Sequence, residues 1–453
     1  MSAPKIGSAG ENPAESASKG PAGAPGRRLR ILILAYYFPP LNSTASHRPY
    51  SWALAWSRAG HEVHVLTTEK YAFDGTLDLE CSADGFNIHY VPFLKHAPKA
   101  PATGSLAAIA TAQKWDRVKL LTRRIRLGMG MFGELAWLAY RPLIKRAREL
   151  AGQSPFDFVI TTSPPEVLHF IGHVFSRRTG TAWIADYRDL WFSEMRINQF
   201  RLPSWLTGVL ERRWLAKAAV ICTVSEGLAR RLGQFLRREV IICYNGFMPD
   251  TLPGESARPW NDARLHVVYT GRMFPRKRDP GLFFEGLARA LRARPQLAER
   301  VCVDIYGFKD RWIEDLIRAH GVGELVRMHG HVPHRQSLGA QQHADLLLFL
   351  DWMDERAEGI LTGKLFECLA AGRPILCVGT RHDSEAATII TRAGAGAVAS
   401  TSQNVCDRIL EALLRAGHES RYHRPETERY SRLRQADLLL ERIVASPRDG
   451  RGA

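Results

Sequence analysis

A chain of 453 residues is long enough for two domains with separate cores, and 45% hydrophobic with 24% charged residues is the composition of a soluble globular protein. The formal charge of +16 points to polyanionic partners: nucleic acid, an anionic membrane surface or phosphorylated substrates. Seven cysteines, without paired or zinc-ligand spacing, argue for reduced core thiols, and neither a structural metal nor a cofactor is expected.

Residues 1–27, rich in Ala, Gly, Pro and Ser and without an apolar core, read as a disordered tail rather than a signal peptide. No apolar run reaches the ~18–20 residues of a membrane span, so the expectation is a cytoplasmic chain that at most rests on the inner face of the membrane. Residues 28–35 read as a buried parallel strand, followed by a loop over 36–49, a helix over 50–59 closed by Gly60, and a second strand over 61–67. Ligands bind where such loops leave the strand C-terminal ends, which makes His47 and Arg48 candidates for substrate contact. His47 reads equally well as a surface loop residue.

Another strand is expected over 86–93. Residues 113–150 follow as one or two helices in which basic residues (Lys114, Arg117, Lys119, Arg123) run into apolar and aromatic ones (Phe132, Leu135, Trp137). That pattern suits a membrane-interface helix or an acceptor groove; a core helix with a solvated basic face is slightly favoured. A strand over 156–163 breaks at Ser163-Pro164-Pro165 into a helix over 167–177. The next strand, 181–186, ends in Asp186-Tyr187-Arg188-Asp189. Asp186 and Asp189 are placed either to meet a sugar or to cap a helix. A helix over 205–218, a strand over 219–225, a helix and a strand over 240–246 follow, and residues 247–263 are polar, proline-bearing and aperiodic, as in a linker.

The alternation then restarts. A strand over 265–270, a loop over 271–280 and a helix over 281–292 repeat the opening of the first half, with further strands over 301–306, 326–329 and 345–350. The stretch 355–378 is the most informative. A glycine-bearing loop (Gly359, Gly363) enters a short helix at the N-cap position Thr362, and Gly372-Arg373-Pro374 turns the chain into the apolar run 375–378. The amides of Gly363, Lys364 and Leu365, the helix dipole and the Lys364 ammonium together suit a phosphate, and Glu367 suits vicinal hydroxyls such as those of a ribose. An ordinary loop–helix–strand crossover fits this segment alone about as well. Arg272 and Lys277 in the first loop of this half, with Gly330 to Pro333 placed to hold a base by backbone contacts, complete a cradle. It can neutralise a diphosphate without a divalent ion. A last amphipathic helix is expected over 424–444.

Tyr37-Phe38-Pro39-Pro40, the run Gly60 to Thr67, Thr223-Val224-Ser225, Asn245-Gly246, Gly271-Arg272 with Lys277, and the run Lys364 to Pro374 together resemble the retaining GT-B glycosyltransferases of glycosyltransferase family 4. The resemblance implies an α/β protein of two Rossmann-like, doubly wound parallel-sheet domains facing a cleft. Its divisions are an acceptor domain (28–246), the linker (247–263), a nucleotide-sugar domain (264–416), a helix returning to the first domain (417–446) and a second disordered tail (447–453). Arg272 and Lys277 match the pair that holds the diphosphate, and Glu367 matches the glutamate on the ribose. Gly271, Gly330, Val332, Gly359, Thr362, Gly363, Lys364 and Leu365 fall on the donor side; His47, Arg48, Asp186 and Asp189 fall on the acceptor side. In many members a glutamate stands eight residues before the Glu367 position; here Gly359 stands there and Glu358 is one residue further back.

The reading is a metal-independent transfer of sugar from a UDP- or GDP-sugar to a hydroxyl of a lipid-linked or surface glycan. The alternatives are a nucleotide-sugar epimerase of the same fold and a basic nucleic-acid-binding protein. No basic/aromatic recognition module supports the last, and nucleic acid is not an expected partner.

Overall fold

The structure is a computed structural model that describes residues 27–71, 74–82, 85–94, 135–191, 204–249, 258–353, 359–380, 383–415 and 425–446. The expectations for both tails, for the basic segment 113–134, for residues 250–257 of the linker and for Glu358 lie outside these residues.

In the first half the described elements are β1 (Arg30–Leu34), α1 (Thr44–Arg58), β2 (Glu62–Thr68), β3 (Asn87–Val91), α2 (Tyr140–Gln153), β4 (Phe158–Ser163), α3 (Val167–Thr179), β5 (Ala182–Tyr187), α4 (Ser204–Leu215), β6 (Val220–Thr223), α5 (Glu226–Leu236) and β7 (Ile241–Ile242). The strands form one parallel sheet in the order β3-β2-β1-β4-β5-β6-β7. Alternate residues of β1 serve opposite faces. Leu32 and Leu34 pack with Val167, Ile171 and Phe175 of α3, whereas Ile31 and Ile33 pack with Trp52 and Trp56 of α1. A sheet covered on both sides needs continuous apolar strands, which is why these segments lack polar alternation.

The second half contains β8 (Leu265–Thr270), α6 (Gly281–Ala293), α7 (Leu297–Arg300), β9 (Val301–Tyr306), α8 (Arg311–Ala319), β10 (Val326–Gly330), α9 (His334–His343), β11 (Leu346–Leu350), α10 (Gly363–Ala371), β12 (Ile375–Val378), α11 (Glu385–Arg392), β13 (Gly396–Ala399), α12 (Ser402–Arg415), α13 (Pro425–Glu428) and α14 (Arg432–Ala445). Its sheet is parallel too, in the order β10-β9-β8-β11-β12-β13. In both sheets the order reverses beside the first strand, between β1 and β4 and between β8 and β11, and crevices open at the carboxyl ends of such strands.

Two local expectations change. The first helix begins six residues early, at Thr44: Ser43 is extended and its Oγ accepts the Ala45 N–H at 3.3 Å, so His47 and Arg48 stand on α1 rather than in a loop. Pro49 obscured this start; at the sixth position of the helix it lacks the N–H that would otherwise reach the Ala45 carbonyl, and the helix runs through it regardless. The last helix is two helices, α13 and α14, separated at Tyr430 and restarted by Ser431, whose Oγ accepts the Arg434 N–H.

The chain passes between the domains at two adjoining points. Phe247 N–H donates to the Tyr430 carbonyl at 3.1 Å and Arg432 N–H to the Phe247 carbonyl at 2.7 Å. Beyond this crossing α14 packs on the first domain. Ala436, Leu439, Leu440 and Ile443 join the cluster of Trp52, Trp56 and Val63, and Trp56 Nε1 donates to the Ala436 carbonyl at 3.0 Å. The described part of 113–150 beyond Tyr140 is a core helix, α2, burying Leu143, Ile144, Ala147 and Leu150. No helix of the described residues is long and apolar enough to cross a membrane.

Candidate active site

The donor-side residues gather on α10 and the loops beside it. Thr362 is extended, as an N-cap requires, but its Oγ1 is buried without a hydrogen-bond partner and caps nothing. The Leu365 N–H is not free as expected; it closes a turn on the Thr362 carbonyl at 3.1 Å. The first turn therefore offers the Gly363 and Lys364 amides rather than three donors. Lys364 reaches one turn along to Glu367, Nζ to Oε2 2.7 Å, and its stem lies over Gly271, where an added Cβ would come within 3.6 Å of Cε. The helix start and the loop after β8 are thus in contact.

Glu367 also meets His334 at the start of α9, Nε2 to Oε1 3.4 Å, a partner that a lone polar histidine in the sequence does not announce. Burial would raise the Glu367 carboxyl, but the His334 and Lys364 contacts outweigh it and hold the group down at about 2. A carboxylate so held is an acceptor for hydroxyl groups at any ordinary pH.

Arg272 and Lys277 both stand exposed on the loop between β8 and α6. The Arg272 guanidinium lies between the rings of Phe274 and Phe308 (5.2 and 5.1 Å), and Lys277 lies over Trp352 at 5.3 Å. The loop is a tight turn in which Phe274 and Arg278 exchange backbone hydrogen bonds at 3.2 and 2.9 Å. Gly330, at φ +81°, accepts the Gly307 N–H at 3.0 Å, which leaves the end of β10 close to the end of β9, and Val332 is half-buried against the core beneath. Gly359, at φ +87°, abuts α5 of the first domain: a Cβ there would lie 2.7 Å from the Leu228 nitrogen. Beside it a polar crevice of about 680 Å³ opens between the domains, lined by Glu226 and Arg230 from one side and Asp351, Trp352, Ser384 and Glu385 from the other.

On the acceptor side the expectation divides. His47 is within electrostatic reach of the donor helix: burial, Arg432 and His334 lower its pKa to about 4 and Glu367 partly opposes them, so the ring is neutral at pH 7. Arg48 and Asp186 do not present themselves to a ligand. They are 2% and 0% exposed and paired in a fork, with Arg48 Nε to Asp186 Oδ1 and Oδ2 at 3.2 and 3.1 Å and Nη2 to Oδ1 at 2.7 Å. Thr162 Oγ1 donates to Asp186 at 2.8 Å, and Arg48 Nη1 donates to the Cys243 carbonyl at 2.7 Å. A buried pair with its remaining valences filled ties α1, β4, β5 and the end of β7 together, a structural role. Asp189 is exposed at the end of β5. Elsewhere His266, Cys302 and Asp304 lie close enough to share a metal ion, but both His266 ring nitrogens already meet carboxylates, Asp262 at 2.7 Å and Asp304 at 2.6 Å.

Two facing parallel-sheet domains, a helix that crosses back, and a basic, carboxylate-bearing cradle on the second domain define a GT-B architecture. Residues 44–246 match the sequence model of the family described as the glycosyl transferase 4-like domain. None of the curated proteins matches the chain. Among solved structures it is similar to a glycosyltransferase from Rickettsia africae ESF-5, at 13% identity and TM-score 0.56 over 93% of this chain and 100% of that one. It is similar in the same degree to a sucrose-phosphate synthase from Thermosynechococcus elongatus, at 12% identity and TM-score 0.56 over 93% and 100%. The N-terminal domain of the Candida albicans trehalose-6-phosphate phosphatase is a third, at 13% identity and TM-score 0.57 over 94% and 98%. These likenesses establish the fold. The fold is that of GT-B glycosyltransferases, and residues 44–246, the greater part of the first domain, carry the glycosyl transferase 4-like match.

Proposed function

We propose that the protein transfers a sugar from a UDP- or GDP-sugar to a hydroxyl group, with retention of configuration and without a metal ion. The observation that carries the reading is Glu367, held ionised between Lys364 and His334 at the start of a helix whose first amides face the loop of Arg272 and Lys277. In this reading Glu367 accepts the ribose hydroxyls. Lys364, Arg272, Lys277 and the Gly363 amide stabilise the diphosphate as it leaves. Gly330 and Val332 border the base. The crevice beside Gly359 takes the sugar, whose hydroxyls meet Asp351 and Ser384, and backbone groups at Gly359 serve where other members use a carboxylate. The departing phosphate takes the proton of the incoming hydroxyl on the same face, so no side-chain nucleophile is required.

The acceptor we infer is a lipid-linked or surface glycan; the charge of +16 suits work against an anionic inner membrane surface. A panel of UDP, GDP, ADP and their sugars in thermal-shift experiments tests the reading, since a ligand stabilises the state it binds. One nucleoside diphosphate is expected to raise Tm in the wild type and not in Lys277→Ala; no shift with any of them overturns the proposal. Incubation with the donor alone tests the epimerase alternative, because an epimerase alters the sugar without an acceptor.

A further inference from the structure

Arg432, the first residue of α14, is outside every role assigned so far. Its backbone N–H is spent on the Phe247 carbonyl at 2.7 Å, which anchors the residue at the domain crossing. Its side chain is half-buried, and Nη1 is shut off from solvent with no hydrogen-bond partner among the described residues. The charges around it are of the wrong sign or already committed. Arg48 repels it but is neutralised by Asp186, and Glu367 attracts it but has its two oxygens on Lys364 and His334. His47, on the first domain, is close enough for Arg432 to help drive off its proton. Burial and Arg48 together lower the guanidinium pKa to about 10, so the group remains charged at neutral pH and is poorly compensated.

A guanidinium nitrogen buried without a partner is costly, and folded chains retain such groups where something arrives to pair with them. A guanidinium matches the forked geometry of a phosphate better than a lysine does. We propose that Arg432 seats a phosphate oxyanion of a substrate at the point where α1, α14 and α10 meet. Its two potential sources are the nucleoside diphosphate of the donor and a phosphate on the acceptor. The inference deepens the proposed function, because it rests on Glu367 facing a bound nucleotide.

The test is calorimetric titration of the full chain, wild type, Arg432→Gln, Arg432→Lys and Lys277→Ala, with UDP, GDP and ADP, and with inorganic phosphate both alone and at saturating nucleotide. Arg432→Gln is expected to weaken at least one ligand tenfold or more, Arg432→Lys to restore part of it, and the Tm of Arg432→Gln to equal or exceed that of the wild type, since an unpaired charge has been removed. Loss confined to the nucleotide assigns the seat to the donor. Loss of phosphate at saturating nucleotide assigns it to the acceptor. Affinities within twofold of wild type in both arms, loss of ligand accompanied by a lowered Tm, or a wild type that binds neither ligand overturns the inference. Nucleotide binding weakened by Lys277→Ala but not by Arg432→Gln leaves the proposed function standing and removes this seat. Phosphate held through Arg432 with no nucleotide binding does the reverse.

Discussion

The carboxylate of Glu385, on the second domain, accepts the backbone N–H of Glu226 at 2.6 Å, and that of the adjoining Gly227 at 3.1 Å, at the first turn of α5 on the other domain. Free amides and the positive end of a helix dipole favour an anion, and here the neighbouring domain supplies it. The contact sits on the wall of the interdomain crevice, next to the close approach of Gly359 to Leu228. It fixes how near the domains stand on that side.

Glu385→Ala should therefore loosen the approach of the domains without unfolding either. Charge-assisted hydrogen bonds of this kind are worth about 1–3 kcal/mol when buried and less at a partly exposed site. Small-angle scattering should show a larger radius of gyration in the variant, and unchanged scattering would mean that the bonds do not hold the domains.

Lys277→Ala should lower transfer by about 100-fold or more, the scale of loss when a preorganised group facing developing charge is removed, and Glu367→Ala should lower it severely by loosening the hold on the donor ribose, while circular dichroism stays that of the wild type in both. Full activity in either variant would take that residue out of the site.

Asp186→Ala should be severely destabilising, by about 3–5 kcal/mol, because it leaves Arg48 charged and unpaired in the interior. Chemical denaturation measures this directly. A loss below about 1 kcal/mol would show the pair to be less enclosed than its exposures of 2% and 0% indicate.

Glu211 supplies a pH prediction with a definite sign. The residue is fully buried on α4, and although Tyr187 Oη donates to it at 2.9 Å, burial and the nearby Glu166 push its pKa up to about 8. The folded state thus holds a proton that the unfolded chain releases near pH ~4.3. The resulting stabilisation is complete below that pH and is lost as pH rises toward 8. Glu211→Gln, which mimics the protonated form, should melt with the wild type at pH 4 and above it at pH 8.5. Equal melting at both would show the carboxyl to be ionised in the fold.

Much of this architecture was legible because a parallel sheet covered on both faces leaves uninterrupted apolar runs. The strands β4, β8, β9 and β12 and the helix α10 are found where those runs and Gly372-Arg373-Pro374 place them. The errors have a common physical origin in distant pairing. Asp186 at a strand end and Arg48 near a loop look like ligand groups until a contact spanning 138 residues joins them in the interior. His334 and Arg432 went unnoticed for the complementary reason. Each is one basic residue at a helix start, with no local pattern around it, and acquires meaning only when the fold carries it to Glu367.

The return of α14 to the first domain has a consequence for biosynthesis. Trp52 and Trp56 are made early, yet the helix that covers them lies some 380 positions later. At ~5–20 residues per second, the nascent first domain waits roughly ten to forty seconds, while the second is translated, with an apolar groove open to the ribosome surface and to chaperones. A stop codon placed shortly before Arg432 would thus spoil the domain that had emerged first.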